Sequence, residues 1–257
     1  MGAISMEGKN GQSDTGIEAA ELANKGSTWA NQLPYAPCTM KILKALHLHI
    51  ALILLSSITT ASAKSPHTQQ IQAFLEASPK AVPLIVIKDC QGDFSNWERF
   101  SAKVIDGDHV HVPNTNPRTK QQFNDFKLIF EFKMDPGANS GIFLRGLGEL
   151  QMLENTAKKY AKLNPCQYHA SAYGLVAAKR GHQKPVGEWN YQEVVVRKQT
   201  IVVHLNGTKI LDTDLSKVTE NMKGKKVSPK TNLTGTIGLG GHASGVYYRN
   251  MYVAELE

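Results

Sequence analysis

The feature that most limits what this chain can fold into is a strict two-residue alternation. Phe126, Leu128, Phe130, Phe132 and Met134 alternate with Lys127, Ile129, Glu131 and Lys133. Successive side chains of a strand point to opposite faces, so this run predicts a β-strand with one apolar face. Shorter runs repeat the theme. Leu84 to Ile87 is apolar, Val104 to Val112 alternates around the turn signal Asp106-Gly107-Asp108, and Val194 to Val196 faces Ile201 to Val203 across Arg197 to Thr200. Leu205 and Ile210 flank Asn206-Gly207, a pair suited to a type I′ turn because both central residues there need positive φ. Thr236 to Leu239 and Val246 to Leu256 supply closing strands.

Many short strands separated by Gly, Asn, Asp and Pro turns, with no helix-strand alternation, predict an all-β antiparallel sandwich or barrel. One short helix precedes them: Ile71, Phe74 and Leu75 have helical spacing, and Ser78-Pro79 ends it. Asn155 to Ser171 and Leu215 to Lys230 break the rhythm and read as loop insertions. At 41% apolar and 20% charged residues, the composition suits a soluble protein with a packed core.

The N-terminal quarter follows another logic. Met40-Lys41-Ile42-Leu43-Lys44 leads into an apolar block from Ala45 to Ile58 and then Ala61-Ser62-Ala63. A basic start, an apolar middle and a small-residue cleavage site describe a secretory signal peptide over 40–63. The apolar run is shorter than the roughly 20 residues that span a bilayer, so stable membrane insertion after cleavage is not expected. Residues 1–39 are polar and aperiodic and are expected to be a disordered upstream extension, with 64–83 a lead-in and 84–257 the folded domain. The expected location is secreted or periplasmic.

The formal charge of +7 survives removal of residues 1–63. Its densest cluster, Lys223, Lys225 and Lys226, has no interleaved aromatic platform, so it reads as a solvated loop and no nucleic-acid partner is expected. Cys90 and Cys166 survive processing, and an oxidising compartment permits but does not require a bond between them. Asn206-Gly207-Thr208 and Asn232-Leu233-Thr234 match glycosylation sequons, but the first is better explained as a hairpin.

Chemistry concentrates between Gly137 and Glu154. Asn139, Arg145, Glu149, Gln151 and Glu154 lie within one hairpin's reach, and alternation sends Glu149 and Gln151 to one face while Glu154 has the other parity. Together with Tyr173-Gly174, Gly187-Glu188-Trp189-Asn190, Leu205-Asn206-Gly207, Gly238-Leu239 with His242, and Tyr248-Arg249-Asn250, these motifs come in a recognisable order. The chain resembles the 3-keto-disaccharide hydrolase domain family, also described as 3-keto-glucoside lyase and 3-keto-glucal hydratase domains, from about Ile85 to Glu257.

The resemblance implies a concanavalin A-like jelly-roll sandwich of two antiparallel sheets whose concave face binds carbohydrate. It implies an exported enzyme acting on a 3-keto disaccharide or glucoside. Family members usually carry an aspartate where Glu154 stands and a glutamine shortly before the histidine, where this chain has Gly240-Gly241.

A ketone at C3 makes the C2 proton acidic, so a base, a group to stabilise the enolate and an acid for the leaving oxygen are needed. On this basis Arg145, Glu149 and His242 are the expected catalytic residues: Glu149 as base or acid, His242 as its proton-transfer partner and Arg145 on the enolate. Asn139, Gln151, Glu154, Glu188 and Asn190 are expected to contact substrate. Arg145 has an ion pair as its structural alternative, His242 a hydrogen-bonded role and Asn139 turn chemistry, while Trp189 is expected in the core rather than as a sugar platform. Arg249 and Asn250 read as a closing-strand interaction. Direct two-carboxylate hydrolysis by Glu149 and Glu154 is a further route, made less attractive by parity. No cofactor is expected; a divalent ion steadying the enolate is an open alternative without ligand spacing to support it. A lectin-like, non-catalytic carbohydrate-binding module is the alternative function, because fold does not fix function.

Overall fold

The computed structural model describes residues 65–257 apart from 113–114 and 242–244. The extension 1–39, the signal-peptide segment 40–63 and His242 therefore lie outside the described residues. Helix α1 (Thr68–Ala77) is followed by fourteen strands: β1 (Val82–Lys88), β2 (Gln91–Asp93), β3 (Trp97–Glu98), β4 (Val104–Ile105), β5 (His109–His111), β6 (Arg118–Thr119), β7 (Phe126–Met134), β8 (Asn139–Leu144), β9 (Glu149–Leu153), β10 (Asn190–Arg197), β11 (Thr200–Leu205), β12 (Thr208–Asp214), β13 (Ile237–Leu239) and β14 (Val246–Glu255). They form two antiparallel sheets. The larger runs β12-β11-β10-β7-β14-β1-β2, with β5 on β14 and β4 on β5; the smaller runs β3-β6-β13-β8-β9.

The core fills the space between the sheets, and strand parity decides what enters it. Phe126, Leu128, Phe130, Phe132 and Met134 of β7 face Ile142, Leu144, Leu150 and Met152 of β8 and β9 within one apolar cluster. At roughly 1.5–3 kcal/mol for each large side chain removed from water, this layer is the main force closing the sandwich. Trp97 adds a polar tie, donating its indole N–H to the carbonyl of Leu84 at 2.7 Å.

Ile129 points out of the core layer with Lys127 and Glu131, yet it is fully buried. Its cover is α1, whose Ile71 and Phe74 pack with Ile129, Tyr191 and Ala254 in a second apolar cluster. The helix lies on the outer face of the large sheet because that face carries apolar residues that would otherwise meet water.

The turns follow their sequence signals. Asn206 and Gly207 have φ of +50° and +85°, as a type I′ hairpin between β11 and β12 requires. Asp106 and Gly107 likewise turn β4 into β5 at positive φ. The insertion from Asn155 to Ser171 contains short 3₁₀ turns at Lys158–Tyr160 and Pro165–Gln167. Cys166 carries a free thiol, so it is not bonded to Cys90.

Candidate functional site

Register across the small sheet brings its chemistry to one surface. Glu149 pairs with Phe143 and Gln151 with Gly141, while Phe143 pairs with Gly238 and Gly238 with Arg118. Paired residues of neighbouring strands share a face, so Arg118, Gly238, Phe143 and Glu149 form one row across β6, β13, β8 and β9. Asn139, Gly141 and Gln151 lie beside that row on the same side. The opposite side, with Ser140, Ile142, Leu144, Leu150 and Met152, faces the core.

Two glycines keep this surface low. A Cβ on Gly141 would fall 2.1 Å from Oε1 of Glu149, so the Glu149 side chain lies across the space that Gly141 leaves. A Cβ on Gly238 would fall 2.5 Å from Nη1 of Arg118, so that side chain crosses the other gap. The Arg118 guanidinium ends 4.3 Å from the centre of the Phe143 ring. Gln151, 4% exposed, donates from Nε2 to Oδ1 of Asn139 at 2.7 Å, which fixes both amides. At the margin of this surface Glu149 joins Leu144, Leu147, Tyr173 and Lys230 in lining a cleft of about 190 Å³.

Several expected site residues are elsewhere. Arg145 is fully buried and turns away from Glu149: its Nη1 donates to the carbonyl of Asn232 at 3.3 Å, and its Nη2 reaches the carbonyl of Lys198 and, at 3.3 Å, Oδ1 of Asp125. Burial lowers its pKa against the opposing pull of Asp125. The reason is backbone conformation. Arg145 follows the end of β8 at φ +35°, which breaks the alternation that would have put it beside Phe143 and Gly141 and ties the end of β8 to the large sheet. The structure therefore does not place Arg145 in the row that carries Glu149.

Glu154 directly follows β9 and clamps the neighbouring loops. Its Oε2 accepts from the Gly137 N–H at 3.0 Å, and its Oε1 accepts from the N–H of Thr156 at 2.6 Å and from the Thr156 hydroxyl. Burial opposes ionisation of this carboxyl, but these hydrogen bonds outweigh it and hold the pKa below the ordinary glutamate range. It does not form a facing pair with Glu149.

Asn190 belongs to the other sheet, and Glu188 precedes it in a turn. Asn190, at the start of β10, accepts at Oδ1 from the Lys184 N–H at 2.8 Å and from Nδ2 of Asn206 at 2.9 Å, pinning the loop before β10 to the Asn206 hairpin. Glu188 is exposed in the turn before that strand. Trp189, expected in the core, is half-buried on the outer face of the large sheet, with the Arg249 guanidinium 3.9 Å from its ring centre.

Arg249 and Asn250 tie the closing strand, as their sequence position suggested. Glu131 is fully buried and accepts from His67 Nδ1 at 2.6 Å, Arg249 Nε at 3.0 Å and Asn250 Nδ2 at 2.7 Å. Arg249 also reaches Oδ2 of Asp108 at 2.5 Å. Burial disfavours the charged carboxylate of Glu131, yet these donors hold its pKa below the usual value.

Sequence reasoning missed Arg118. A two-residue strand after Pro117 carries no periodic signal, and only the pairing of β6 with β13 places it in the row with Glu149. Among the described residues no group of three or more His, Cys, Asp or Glu side chains is arranged to hold a metal ion.

Residues 86–254 match the profile of the 3-keto-alpha-glucoside-1,2-lyase-like domain. Over 174 residues the chain is 28% identical to a 3-keto-disaccharide hydrolase of Bacteroides thetaiotaomicron, a match that covers 53% of this chain and 60% of that protein. The chain thus spans less than two thirds of the curated relative's length. A crystal structure of a candidate glycosyl hydrolase from Parabacteroides distasonis is 27% identical with a TM-score of 0.59, covering 69% of this chain and 100% of that one. A second from the same organism, at 20% identity and TM-score 0.58, covers 74% of this chain and 98% of its own and shares the fold.

Proposed function

Because the chain belongs to the 3-keto-alpha-glucoside-1,2-lyase-like domain family, we propose that it is an exported carbohydrate-active enzyme that cleaves 3-keto glycosides. The observation that carries this reading is the placement of Glu149 with the fixed Asn139–Gln151 amide pair on one surface of the small sheet. A carboxylate for proton transfer and prepositioned amides for hydroxyls are what a keto-sugar needs there. The segment 40–63 supports export by its sequence pattern alone.

In this reading Glu149 removes the proton at C2, and the electron pair of that bond forms an enolate with the charge on the C3 oxygen. Collapse of the enolate forms the C1–C2 double bond and expels the oxygen at C1, which leaves with a proton. Water then adds, oxygen to C1 and hydrogen to C2, so that the sum of the two steps is hydrolysis. His242 is assigned the exchange of protons with Glu149 and the leaving oxygen on the family resemblance. Gln151 and Asn139 hold hydroxyls of the ring.

The test is incubation of the protein with 3-keto-trehalose, 3-keto-lactose and their unoxidised parents in deuterated water. Release of sugar from the keto substrates alone, with deuterium appearing at C2 of the product faster than in enzyme-free controls, is expected. Release without deuterium at C2 would replace elimination by direct hydrolysis. Binding without release from any of them would make the domain a lectin-like module.

A further inference from the structure

We propose that Arg118 is the cation that binds the keto oxygen of the substrate and takes up its developing negative charge. The inference rests on the keto-glycoside chemistry proposed above and identifies the enolate-stabilising group that the buried, paired Arg145 does not supply. Three observations converge on it.

Arg118 on β6 and Glu149 on β9 stand on either side of β13 and β8 in one cross-strand row, which continues past Arg118 to Glu98 on β3, and both side chains lean toward β8. Each does so across a glycine, Arg118 over Gly238 and Glu149 over Gly141. The guanidinium comes to rest on the Phe143 ring and the carboxylate beside Gly141, two residues along the same strand. Two residues of a strand span about 7 Å, the scale of one sugar ring, so the positions over which the two charged groups lie are spaced to engage neighbouring atoms of one ring.

The guanidinium is also held without a carboxylate. Among the described residues Arg118 makes no ion pair or hydrogen bond through its side chain, although Glu98 is its cross-strand neighbour. Its fixed contact is the Phe143 ring, which orients the planar fork by cation–π attraction and leaves its N–H donors for another acceptor. Partial burial and the nearby charge of Arg99 both disfavour the unpaired cation, and their effect is a lowered pKa. An arginine kept half-buried at electrostatic cost, with a ring beneath it and donors unspent, is suited to an oxyanion that forms during reaction.

The chemistry assigns it one step. When Glu149 takes the C2 proton, the electron pair moves toward the C3 oxygen, and two N–H donors of Arg118 hydrogen-bond to that oxygen more strongly as its charge grows. The charge then returns through C2 as the C1–O bond breaks, and Arg118 ends bound to a neutral ketone. No oxidant, reductant or further reactant is needed.

The test compares wild-type protein with Arg118→Ala, Arg118→Lys and Arg145→Ala on 3-keto-trehalose, with thermal unfolding of each. The R118A variant is expected to lose roughly 100-fold to 1,000-fold in kcat with a far smaller change in KM, the size associated with losing one oxyanion donor. R118K is expected to recover part of it, and added guanidinium ion to raise the turnover of R118A while leaving wild type unchanged. Such rescue is not expected of a residue that only supports the strand. Should R118A unfold, the partial activity of folded R118K and its changed kcat at unchanged KM carry the comparison. Retention of wild-type kcat by folded R118A or R118K in an active enzyme overturns the assignment of Arg118 alone. A wild-type protein inert toward every 3-keto glycoside overturns the proposed function and this assignment together.

Discussion

The outer faces of the two sheets use the same residue types to opposite ends. On the large sheet Arg249 spends its donors on Glu131 and Asp108 and rests on Trp189, and Glu131 in turn has His67 and Asn250 as further partners. On the small sheet Arg118 rests on Phe143 in the same way but makes no ion pair among the described residues, although Glu98 is its cross-strand neighbour. A saturated network holds strands and helix in place; a cation left with donors to spare is arranged for something that arrives later. The lesson is that an arginine over an aromatic ring says little by itself, and that the count of its remaining donors separates support from chemistry.

That contrast breaks first at Glu149. Glu149→Gln keeps the shape but cannot take a proton, so kcat on a 3-keto glycoside is expected to fall about 1,000-fold with little change in unfolding temperature. An equal loss of stability would move Glu149 into the structural class. Glu131→Gln should do the reverse. Taking one charge from a buried pair leaves Arg249 under-compensated and is expected to cost about 3 kcal/mol in denaturant unfolding, with kcat of the folded fraction unchanged. If activity fell while stability held, the network on the large sheet would be catalytic after all.

Acid tests the structure between the two faces. His169 is fully buried and hydrogen-bonded to Gln192, and burial pushes its pKa from 6.5 down to about 4. Between those values the unfolded chain carries a proton there that the folded chain does not, so stability falls as pH drops from 6.5 toward 4. The fall is expected to approach about 3 kcal/mol, read as denaturant midpoints across that range, and a His169→Gln variant should flatten it. An unchanged slope in that variant would show that other groups carry the acid response.

The smallest expected effect falls on the glycine under Glu149. Gly141→Ala places a methyl where the end of the Glu149 side chain lies, and a flexible carboxylate end gives way at little cost in stability. A displacement of about an ångström at the reacting group is enough for roughly a 100-fold loss of kcat. A variant that kept full activity would show that the position of Glu149 over β8 is not the one used in turnover.

What could be read in advance was local. The alternation of Phe126 to Met134 became β7, Asn206-Gly207 became a positive-φ hairpin, and Glu149 and Gln151 came to one face as their spacing required. The residues placed away from Glu149 have a common form. Arg145 left its face because a single residue at φ +35° ended the alternation, and Asn190 went to the other sheet, with Glu188 in the turn before it, although their sequence gave no sign of which sheet that would be. Arg118 was invisible for the converse reason: its strand has two residues, and it enters the site through pairings with Gly238, 120 positions later, and then with Phe143 and Glu149.

By itself, then, the chain determined an all-β fold, the inward and outward side of each long strand, and the shared face of Glu149 and Gln151. Those properties depend on side-chain direction at a fixed two-residue period, which neighbouring residues impose on one another. Only the tertiary structure decided that Arg118 and not Arg145 stands across from Glu149, and that Glu131 and Arg249 neutralise each other beneath α1 and beside Trp189. Partners across strands are set by register and by which sheet a strand joins, and both depend on the packing of the whole core rather than on any local run of residues.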